Sequence, residues 1–583
     1  MRLPIEKYAM VGNCRSAALV SHDGSIDWLC LPRFDSPACF ARLLGNRENG
    51  FWRLSPVLPP RTTTRRYRGD SFILETDLEN DEGLVRIFDF MPLVRDESGI
   101  PLVREVHCLR GRVRMRSEML LRFEYGRIAP RVRLDRDGAN AVAAPNAVAL
   151  KSPVSLAIDD SGIHAEFTAS EGQPLPFVMT WFPAHRNFPG FVGSHYSFIE
   201  TAAFWQKWSE RCTVSGLWRE TIMRSLLVLK ALAYPPTGAI AAAPTTSLPE
   251  SLGEDRNWDY RYCWIRDAAL AVRSLLASGY PEAARAWYEW MFRCTAGHPS
   301  QLQTMYGLMG ERLLPECELD WLNGYARSRP VRIGNQAFGQ FQLDVYGEIM
   351  NALYSAQTSG LDLAPDNWEL QDSLVRYLET AWRDPDNSIW EDRGGRRHYT
   401  YSKIMAWVAV DRAIRSAERF GMPGPVDRWR RLRNQIHREV CARGFCRRRN
   451  SFVRAYDETE LDAALLRIPL VGFLPAGDPR VVGTVKAIQE DLMRDGLVLR
   501  FANHEGAFIP CCFWLSEALA LAGDHHTANE VFSRAISLRN DVGLLSEEYS
   551  YSHRQLAGNF PQALSHASLI SCANVLAGQT SAS

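Results

Sequence analysis

The chain contains 583 residues, and its 67 lysine and arginine and 67 aspartate and glutamate side chains give a formal net charge of zero. A hydrophobic content of 46% and a charged content of 23% are typical of a soluble globular protein, and the length predicts two or three domains. The charge balance argues against nucleic-acid binding, which needs clustered cations that neutralise phosphates.

The sequence also argues against a membrane or secreted location. No run approaches the roughly 18 consecutive apolar residues of a membrane span, and the first residues contain charges and a glycine where a secretory signal needs an apolar core. The 13 cysteines are scattered without CxxC spacing, which predicts neither a disulfide framework nor a zinc site. We therefore expect a protein of the reducing cytoplasm that holds no metal.

Residues 1–195 are predicted to form an antiparallel β-sandwich domain. Short segments of alternating apolar and polar residues are separated by asparagine, glycine and proline, as in strands that are joined by turns. The clearest segment is 104–120, where apolar and charged side chains alternate as they would along a half-buried strand.

A helical domain is predicted from residue 217 to residue 583, after a linker helix at 196–216. Apolar residues recur with the period of amphipathic helices in these segments: 217–234, 264–278, 281–296, 336–358, 367–382, 400–420, 424–441, 456–467, 479–493, 509–522, 525–538 and 560–577. Helices without interleaved strands predict helical hairpins closed into a toroid, the (α/α)6 fold. An open superhelical stack of helix pairs is the alternative.

Three connections between the predicted helices are long and rich in aromatic and charged residues: 235–263, 297–335 and 384–399. Long loops in compact domains are usually functional. A helical barrel would gather such loops at one end, where they would surround a cleft. We therefore expect these connections to carry functional side chains.

The segment 257–270, NWDYRYCWIRDAAL, combines aromatic rings with charge immediately before a predicted helix. The aromatics that lead to Arg266 and Asp267 are Trp258, Tyr260, Tyr262 and Trp264. Asp267 has an ordinary interpretation, since an acid near a helix N-terminus complements the helix dipole. Sugars, however, present apolar faces edged by hydroxyl groups, so a sugar site needs flat aromatic platforms beside charged hydrogen-bonding partners. We interpret this segment as part of such a site.

Two acidic pairs lie beside aromatic residues, in WEDRGG at 390–395 and in EEYSYSH at 547–553. Either pair alone is more often a helix cap or a surface charge, but a carboxyl group beside rings has a pKa raised by desolvation. Inverting glycoside hydrolysis needs an acid and a base roughly 6.5–9.5 Å apart. A toroid would bring the two loops to one rim, which makes Glu391 and Glu547 candidates for that pair.

A further segment, ECELDWLNGYARSRPVRIGN at 316–335, carries acids together with Arg327, Arg329 and Arg332. The arginines could pair with the acids of the same segment, or they could bind phosphate. The residues alone leave both alternatives open.

With these segments assembled, the chain resembles glycoside hydrolase family fifteen, the family of glucoamylases and bacterial trehalases, over nearly its whole length. The resemblance is most specific in YCWIRDAAL, SRPVRIGNQA, SIWEDRGGRRHYTYSK and EEYSYSHRQLAGNFPQALSHASL. The amino-terminal YAMVGNCRSAALVSHDGSIDWLCLPRFDSPACFARLLG is similar to the opening of the bacterial members. Those members carry a β-sandwich before an (α/α)6 barrel, so the resemblance implies the same fold here.

The resemblance also implies a role for individual positions. It implies that Glu391 is the general acid and that Glu547 is the general base, with Glu548 as the alternative register for the base. The positions for which we predict substrate binding are Trp264, Arg266, Asp267, Arg329, Trp390, Asp392, Arg500, Glu548 and Tyr549. Asp392 stands where many members have a second glutamate, so its contact with the sugar is expected to differ.

The activity that the resemblance implies is inverting hydrolysis of an α-glucoside from its non-reducing end, with release of β-glucose and without a metal or other cofactor. We expect α,α-trehalose as substrate first, and maltooligosaccharides, isomaltose or dextrin second. A disaccharide phosphorylase is a more remote alternative, and a non-catalytic carbohydrate-binding protein is disfavoured because both carboxylates are present. We expect no nucleic-acid or membrane partner, and a homo-oligomer is left open.

Overall fold

The computed structural model describes residues 3–94, 99–190, 193–362, 367–502 and 506–578. Within those ranges no helix combines the length and the apolar character that crossing a membrane requires. The segment VLRFANHEGAF, which carries Arg500, falls partly outside the described residues.

The amino-terminal part of the described chain is an antiparallel β domain, as predicted. Its strands are β1 Tyr8–Gly12, β2 Ala17–Ser21, β3 Ser25–Cys30, β4 Ala38–Phe40, β5 Phe51–Pro56, β6 Thr62–Tyr67, β7 Leu74–Asn80, β8 Gly83–Phe90, β9 Ile100–Leu120, β10 Arg131–Asp135, β11 Gly138–Ala143, β12 Asn146–Lys151, β13 Ala157–Asp159, β14 Gly162–Ser170 and β15 Leu175–Pro183. The main path of neighbours is β1-β2-β3-β5-β9-β15-β12-β11-β10.

Strand β9 joins the two halves of this domain because it is 21 residues long. Its first half pairs with β8 and β15, and its second half pairs with β5 and β14. In the second half Val113 and Met115 are buried, whereas Arg112, Arg114 and Arg116 are exposed. The alternation in the sequence therefore predicted this strand correctly, since successive side chains of a strand point to opposite faces.

Helices dominate the rest of the described chain. After the short α1 Phe123–Gly126 within the β domain, they are α2 Ser194–Ser209, α3 Arg219–Leu232, α4 Ile265–Ala277, α5 Pro281–Thr295, α6 Asp344–Thr358, α7 Asn367–Ala381, α8 Thr400–Phe420, α9 Val426–Arg443, α10 Pro479–Asp491, α11 Ile509–Leu521, α12 His525–Ile536 and α13 Ala563–Leu576.

These helices close into a double ring. The inner ring runs α4, α6, α8, a 3-10 helix at Ala463–Arg467, α11 and α13, and α13 packs against α4 to complete it. The outer helices α5, α7, α9, α10, α12 and α3 pack on the inner ones. Residues 509–520 of the inner helix α11 are all buried, whereas the outer α9 buries only a stripe of four side chains: Trp429, Leu432, Ile436 and Val440. The predicted (α/α)6 toroid is confirmed, and the open stack is wrong.

Two predicted helices begin later than the sequence pattern indicates. The segment 456–467 is helical only at Ala463–Arg467, where the Asp462 side chain accepts a hydrogen bond from the backbone N–H of Ala464. The segment 336–358 is an α-helix only from Asp344, because the preceding residues turn toward the loop between α7 and α8, residues 382–399, which we call the acid loop. There Gln340 donates a hydrogen bond to the backbone oxygen of Glu391. The missing turns of the first segment are replaced by a loop, and those of the second by a 3-10 helix at Gln336–Gly339 and a short loop.

Short strands of two or three residues pair within the connections of the ring: β16 Cys263–Trp264, β17 Met305–Tyr306, β18 Cys317–Glu318, β19 Arg332–Ile333, β20 Phe445–Cys446, β21 Ser451–Phe452, β22 Met493–Arg494, β23 Leu497–Val498, β24 Gly506–Phe508, β25 Glu548–Ser550 and β26 Gln555–Ala557. The hydrogen bonds between these short strands hold the backbone of connections that otherwise have no regular secondary structure.

The β domain packs directly on the ring. Trp28 of β3 donates its indole N–H to the backbone oxygen of Pro244 at 2.8 Å, and Arg65 of β6 pairs with Asp541 at 2.9 Å. The chain passes between the two parts through α2 and an irregular stretch before α3. The domain limits at 195 and 216 remain predictions.

Candidate active site

A cavity of about 430 Å³ opens among the long connections of the helical ring. Its lining residues are Glu250, Asp255, Arg256, Trp258, Tyr260, Trp264, Asn335, Ala337, Trp390, Glu391, Asp392, Arg393, Gly394, Arg454, Arg500 and Phe501. Ligand sites in proteins typically occupy about 300–1,000 Å³ and combine apolar walls with a few convergent polar groups. The size and the mixed lining suit a disaccharide.

Tyr260 and Trp264 form an aromatic platform in this cavity. The two ring centroids are 5.1 Å apart with the planes tilted by 60°. Trp264 is held immediately before α4 by the two-residue ladder with β17. The polar edges of both rings point at carboxylates: Trp264 donates its indole N–H to Glu391 at 3.2 Å, and Tyr260 donates its hydroxyl to Glu547 at 2.7 Å. One pair of rings therefore connects the two predicted catalytic carboxylates.

Glu391 lies in the loop between α7 and α8, in a strained conformation. Its backbone φ is +53°, a left-handed value that non-glycine residues rarely adopt, and such strain is concentrated at functional sites. Arg266 donates to the same carboxylate oxygen as Trp264, at 2.9 Å. Burial raises the pKa of Glu391 above its ordinary value, although the Arg266 guanidinium opposes that shift.

Arg266 and Asp267 lie beneath this loop and not on the cavity wall. Both are buried, and Asp267 accepts a hydrogen bond from Arg266 at 3.1 Å. Arg266 also donates to the backbone oxygen of Ile389. The pair therefore reaches the site through Glu391, whose loop it ties to the start of α4.

Glu547 lies between α12 and α13, directly before β25, and its side chain is almost fully buried at 1% exposure. Besides the Tyr260 hydroxyl, it accepts the backbone N–H of Asn559 at 3.4 Å. Gly558 makes this close approach possible, because its φ is +72° and an added Cβ would lie 2.6 Å from the Glu547 carboxylate. The glycine of the GNFPQALSH segment is thus required by the position of the predicted base.

Arg500 lies among several carboxylates next to Glu547. It pairs with Glu548 at 2.7 Å and with Glu250. Burial, and then the charge of Glu250, raises the pKa of Glu547, while Arg500 opposes the shift. Burial likewise raises the pKa of Glu548. Glu250 and Glu548 share the Arg500 guanidinium beside the buried Glu547, and carboxyl groups this close together favour retention of a proton within the cluster.

Glu547 and Glu548 have different surroundings, and this difference indicates which of the two is the better candidate for the general base. Glu547 contacts the cavity wall through Tyr260, whereas Glu548 faces Arg500 and the backbone of Gly506, whose added Cβ would lie 2.4 Å from it. The contacts therefore favour Glu547 as the candidate base, and Glu548 as the residue that holds Arg500.

Asp392 and Trp390 flank Glu391 and line the cavity. The Asp392 carboxylate accepts hydrogen bonds from the Tyr399 hydroxyl at 2.8 Å and from Arg454 at 2.7 Å. Trp390 donates its indole N–H to Asp462 at 2.9 Å. Asp392 thus positions Arg454, and both side chains line the cavity.

The structure does not bring Arg329 and Tyr549 to the cavity, contrary to their predicted contact with substrate. The Arg329 side chain is exposed and donates to Asn323 at 2.8 Å. Tyr549 follows Glu548 in β25, so it points to the other face of that strand, where it lines a separate cavity with Arg534 and Gln555. The short strand β25, which the sequence pattern does not show, is the reason that Tyr549 lies away from the cavity.

Several lining residues were not identified from the sequence. Glu250, Arg256 and Asn335 lie in the long connections 235–263 and 297–335 that were expected to carry function, so their location was indicated although the residues were not. Arg454 and Phe501 carried no signal. They come from other connections, and only the closed ring places the Arg454 guanidinium 4.7 Å from the Phe501 ring.

Comparison with known proteins shows which family the chain resembles. Residues 216–574 match the family described as Glycosyl hydrolases family 15, and residues 2–179 match a trehalase-like N-terminal domain. The chain is 34% identical to the trehalase of Thermoplasma volcanium, with 97% of this chain and 92% of that protein covered. It is also 34% identical to the trehalase of Mycobacterium tuberculosis, with 97% and 88% covered.

Among solved structures, a bacterial glucoamylase in complex with acarbose superposes with a TM-score of 0.70 at 11% identity, covering 99% of this chain and 94% of that one. That likeness concerns the fold and extends over both the β domain and the helical ring. The matched sequence covers the loops of the cavity as well as the helices. The chain therefore belongs to family 15 of the glycosyl hydrolases and is a glycoside hydrolase.

Proposed function

We propose that this protein hydrolyses α,α-trehalose with inversion, with Glu391 as the general acid and Glu547 as the general base. The observation that carries the proposal is that one aromatic pair of the cavity wall contacts both carboxylates: Glu391, which itself lines the cavity, and Glu547, which is buried directly behind Tyr260. The choice of trehalose is supported by relatives named trehalase that align with 97% of the chain, including its β domain.

Glu391 has the properties of a proton donor. Burial raises its pKa, so it holds a proton closer to neutral pH than an exposed glutamate does. Its Oε1 accepts from Trp264 and Arg266, which leaves Oε2 to carry the proton. When that proton passes to the glycosidic oxygen, the same two donors stabilise the carboxylate that remains.

Glu547 would take the proton of the attacking water. The water oxygen bonds to the anomeric carbon of one glucose while the bond from that carbon to the bridging oxygen breaks. The water proton passes to Glu547, and the bridging oxygen leaves as a hydroxyl with the proton of Glu391. Attack from the face opposite the leaving group gives β-glucose. The Tyr260 hydroxyl and the Asn559 N–H orient Glu547 for this step.

The test is incubation of the purified protein with trehalose while proton NMR follows the anomeric signals of the released glucose. We expect one equivalent of β-glucose to appear before mutarotation. Parallel incubations with maltose, isomaltose and soluble starch test the glucoamylase-like alternative. Trehalose that stays intact would refute the substrate, and initial release of α-glucose alone would refute inversion. Glucose 1-phosphate formed only with added phosphate would identify a phosphorylase instead.

A cytoplasmic location belongs to the same proposal. All 13 cysteines lie in the described residues and are free thiols, and nine of them are buried. Free thiols are typical of proteins that work in a reducing compartment. Fractionation of the native cells with a trehalase assay of each fraction would test this expectation.

A further inference from the structure

The mouth of the cavity contains a cluster that the proposed mechanism does not use. Trp258 lines the cavity, and two guanidinium groups lie against its ring, with Arg393 at 4.0 Å and Arg332 at 4.6 Å from the ring centroid. One carboxylate holds both arginines: Glu316 pairs with Arg393 at 2.6 Å and with Arg332 at 3.4 Å. We call these four residues the rim cluster.

The rim cluster ties three separate connections together. Trp258 belongs to the connection before α4, Glu316 and Arg332 to the connection before α6, and Arg393 to the acid loop before α8. Arg332 is further fixed by donating to the backbone oxygen of Asp255 at 2.6 Å. Burial alone would raise the pKa of Glu316, but the hydrogen bonds from Arg393 and the Gln336 backbone and the charges of both arginines together outweigh it, so the pKa lies below its ordinary value. The carboxylate therefore stays charged at neutral pH and keeps the cluster closed.

Arg393 is positioned to contact the sugar that leaves in the reaction. It follows Glu391 by two residues and lines the same cavity, with 39% of its side chain exposed. The general acid donates to the bridging oxygen, so side chains beside it in the acid loop flank the sugar that departs. A guanidinium offers several N–H donors in a fixed plane, which suits neighbouring hydroxyl groups of one hexose.

The contact between Arg393 and Trp258 also limits what the indole ring can bind. If its ring were uncovered, the Trp258 indole at the edge of the cavity could stack against a further sugar ring. The aromatic rings inside the cavity could stack against the first sugar rings in the same way. Here a guanidinium lies at stacking distance from the ring. A longer glucan would have to displace Arg393 from both the ring and Glu316, which a disaccharide need not do.

We propose that Arg393, seated on Trp258 and held by Glu316, is a specificity-determining residue that restricts the leaving group to a single hexose. The inference rests on the proposed function, since it takes Glu391 as the acid and a disaccharide as the substrate. It adds that the preference for a short substrate is set at the rim cluster and not at the two carboxylates.

The experiment compares kcat/KM for trehalose, maltotriose and maltoheptaose in the wild type and in Arg393→Ala. We expect the ratio of maltotriose to trehalose to rise at least about tenfold, the discrimination that one pocket contact usually gives. The KM for trehalose should rise with little change in kcat, because a contact made equally in ground and transition states is lost. Glu316→Gln keeps both arginines but removes the carboxylate that holds them, and it should shift the ratio in the same direction.

Arg397→Ala is the matched control. Arg397 lies in the same loop with 45% of its side chain exposed, and it pairs with Glu458 at 3.2 Å away from the lining residues. Its substrate ratio should equal that of the wild type, and circular dichroism should show all variants folded. An unchanged ratio in both Arg393→Ala and Glu316→Gln, in a wild type that hydrolyses trehalose, would overturn this inference alone. A wild type that hydrolyses maltoheptaose as well as trehalose would also overturn it. A wild type inactive on trehalose would refute the proposed function and the inference with it.

Discussion

Replacing Tyr260 by phenylalanine isolates the contribution of one hydroxyl to the predicted base. The ring and its packing against Trp264 stay, and only the hydrogen bond to Glu547 at 2.7 Å is lost. A hydrogen bond to a charged group stabilises by about 1.5–3 kcal/mol, and about 1.4 kcal/mol corresponds to one pKa unit. The loss should therefore raise the pKa of Glu547 by about one to two units.

The direction of the change in activity follows from the role of the base. Glu547 works only when ionised, and the hydroxyl donates to the ionised form, so its removal favours the protonated form. Burial and Glu250 already raise the pKa of Glu547, and the variant should raise it further. The acidic limb of kcat/KM for trehalose should consequently move to higher pH by about one to two units.

The assay is the pH dependence of glucose release from trehalose between about pH 4 and pH 11, a range that extends well above neutral because the pKa of Glu547 is already raised in the wild type. Tyr262→Phe is the control, because Tyr262 belongs to the same connection and is buried but does not line the cavity. Its profile should overlay that of the wild type. An acidic limb that stays in place, or moves to lower pH, in a folded Tyr260→Phe variant would refute the assignment of Glu547 as a base oriented by Tyr260.

Other predictions concern the carboxylates and the core. Glu391→Gln and Glu547→Gln should each lower kcat for trehalose by about 10²–10⁴-fold with an unchanged melting temperature, and near-normal turnover would remove that residue from its role. Gly558→Ala should reduce activity strongly, because its Cβ would lie 2.6 Å from Glu547; full activity would contradict the described backbone. Burial raises the pKa of Glu517 to about 7, so its contribution to stability is complete below about pH 4.5 and is lost as the pH rises to about 7. Glu517→Gln should abolish that loss of about 3 kcal/mol, and parallel wild-type and variant melting curves against pH would refute it.

The helical ring could be predicted from the sequence because its signal is local. Apolar residues recur at helical spacing in almost every helix of the ring, and β9 shows its alternation over 21 residues. The two segments that begin late, at Ala463 and at Asp344, differ because tertiary contacts override propensity. In those segments Asp462 and Gln340 bond to neighbours in the loops instead of extending the helix.

The site was predictable only in part, since a cavity is assembled from connections that are distant in sequence. Glu391 and Trp264 were identifiable because carboxylates and rings occur together within short segments. Arg454 was not, because its significance comes from Asp392, 62 residues away in the chain. The family resemblance places Tyr549 at an aromatic position of the site, whereas β25, paired with β24, turns its ring to the face of the strand opposite Glu548.

The β domain affects the site although none of the described lining residues comes from it. Arg261, in the connection that carries Tyr260, donates to the backbone oxygen of Ser36 at 2.9 Å and pairs with Asp259 at 2.6 Å. Asp259 in turn accepts the N–H of Gly334 at 3.1 Å. The Asp259 carboxylate is buried, and the groups of Ser36 and Gly334 in this network belong to the backbone. The connection that carries Arg261 and Tyr260 therefore has little freedom to shift. The β domain thus supports the connection whose Tyr260 donates a hydrogen bond to the predicted base, and it does so through buried polar contacts.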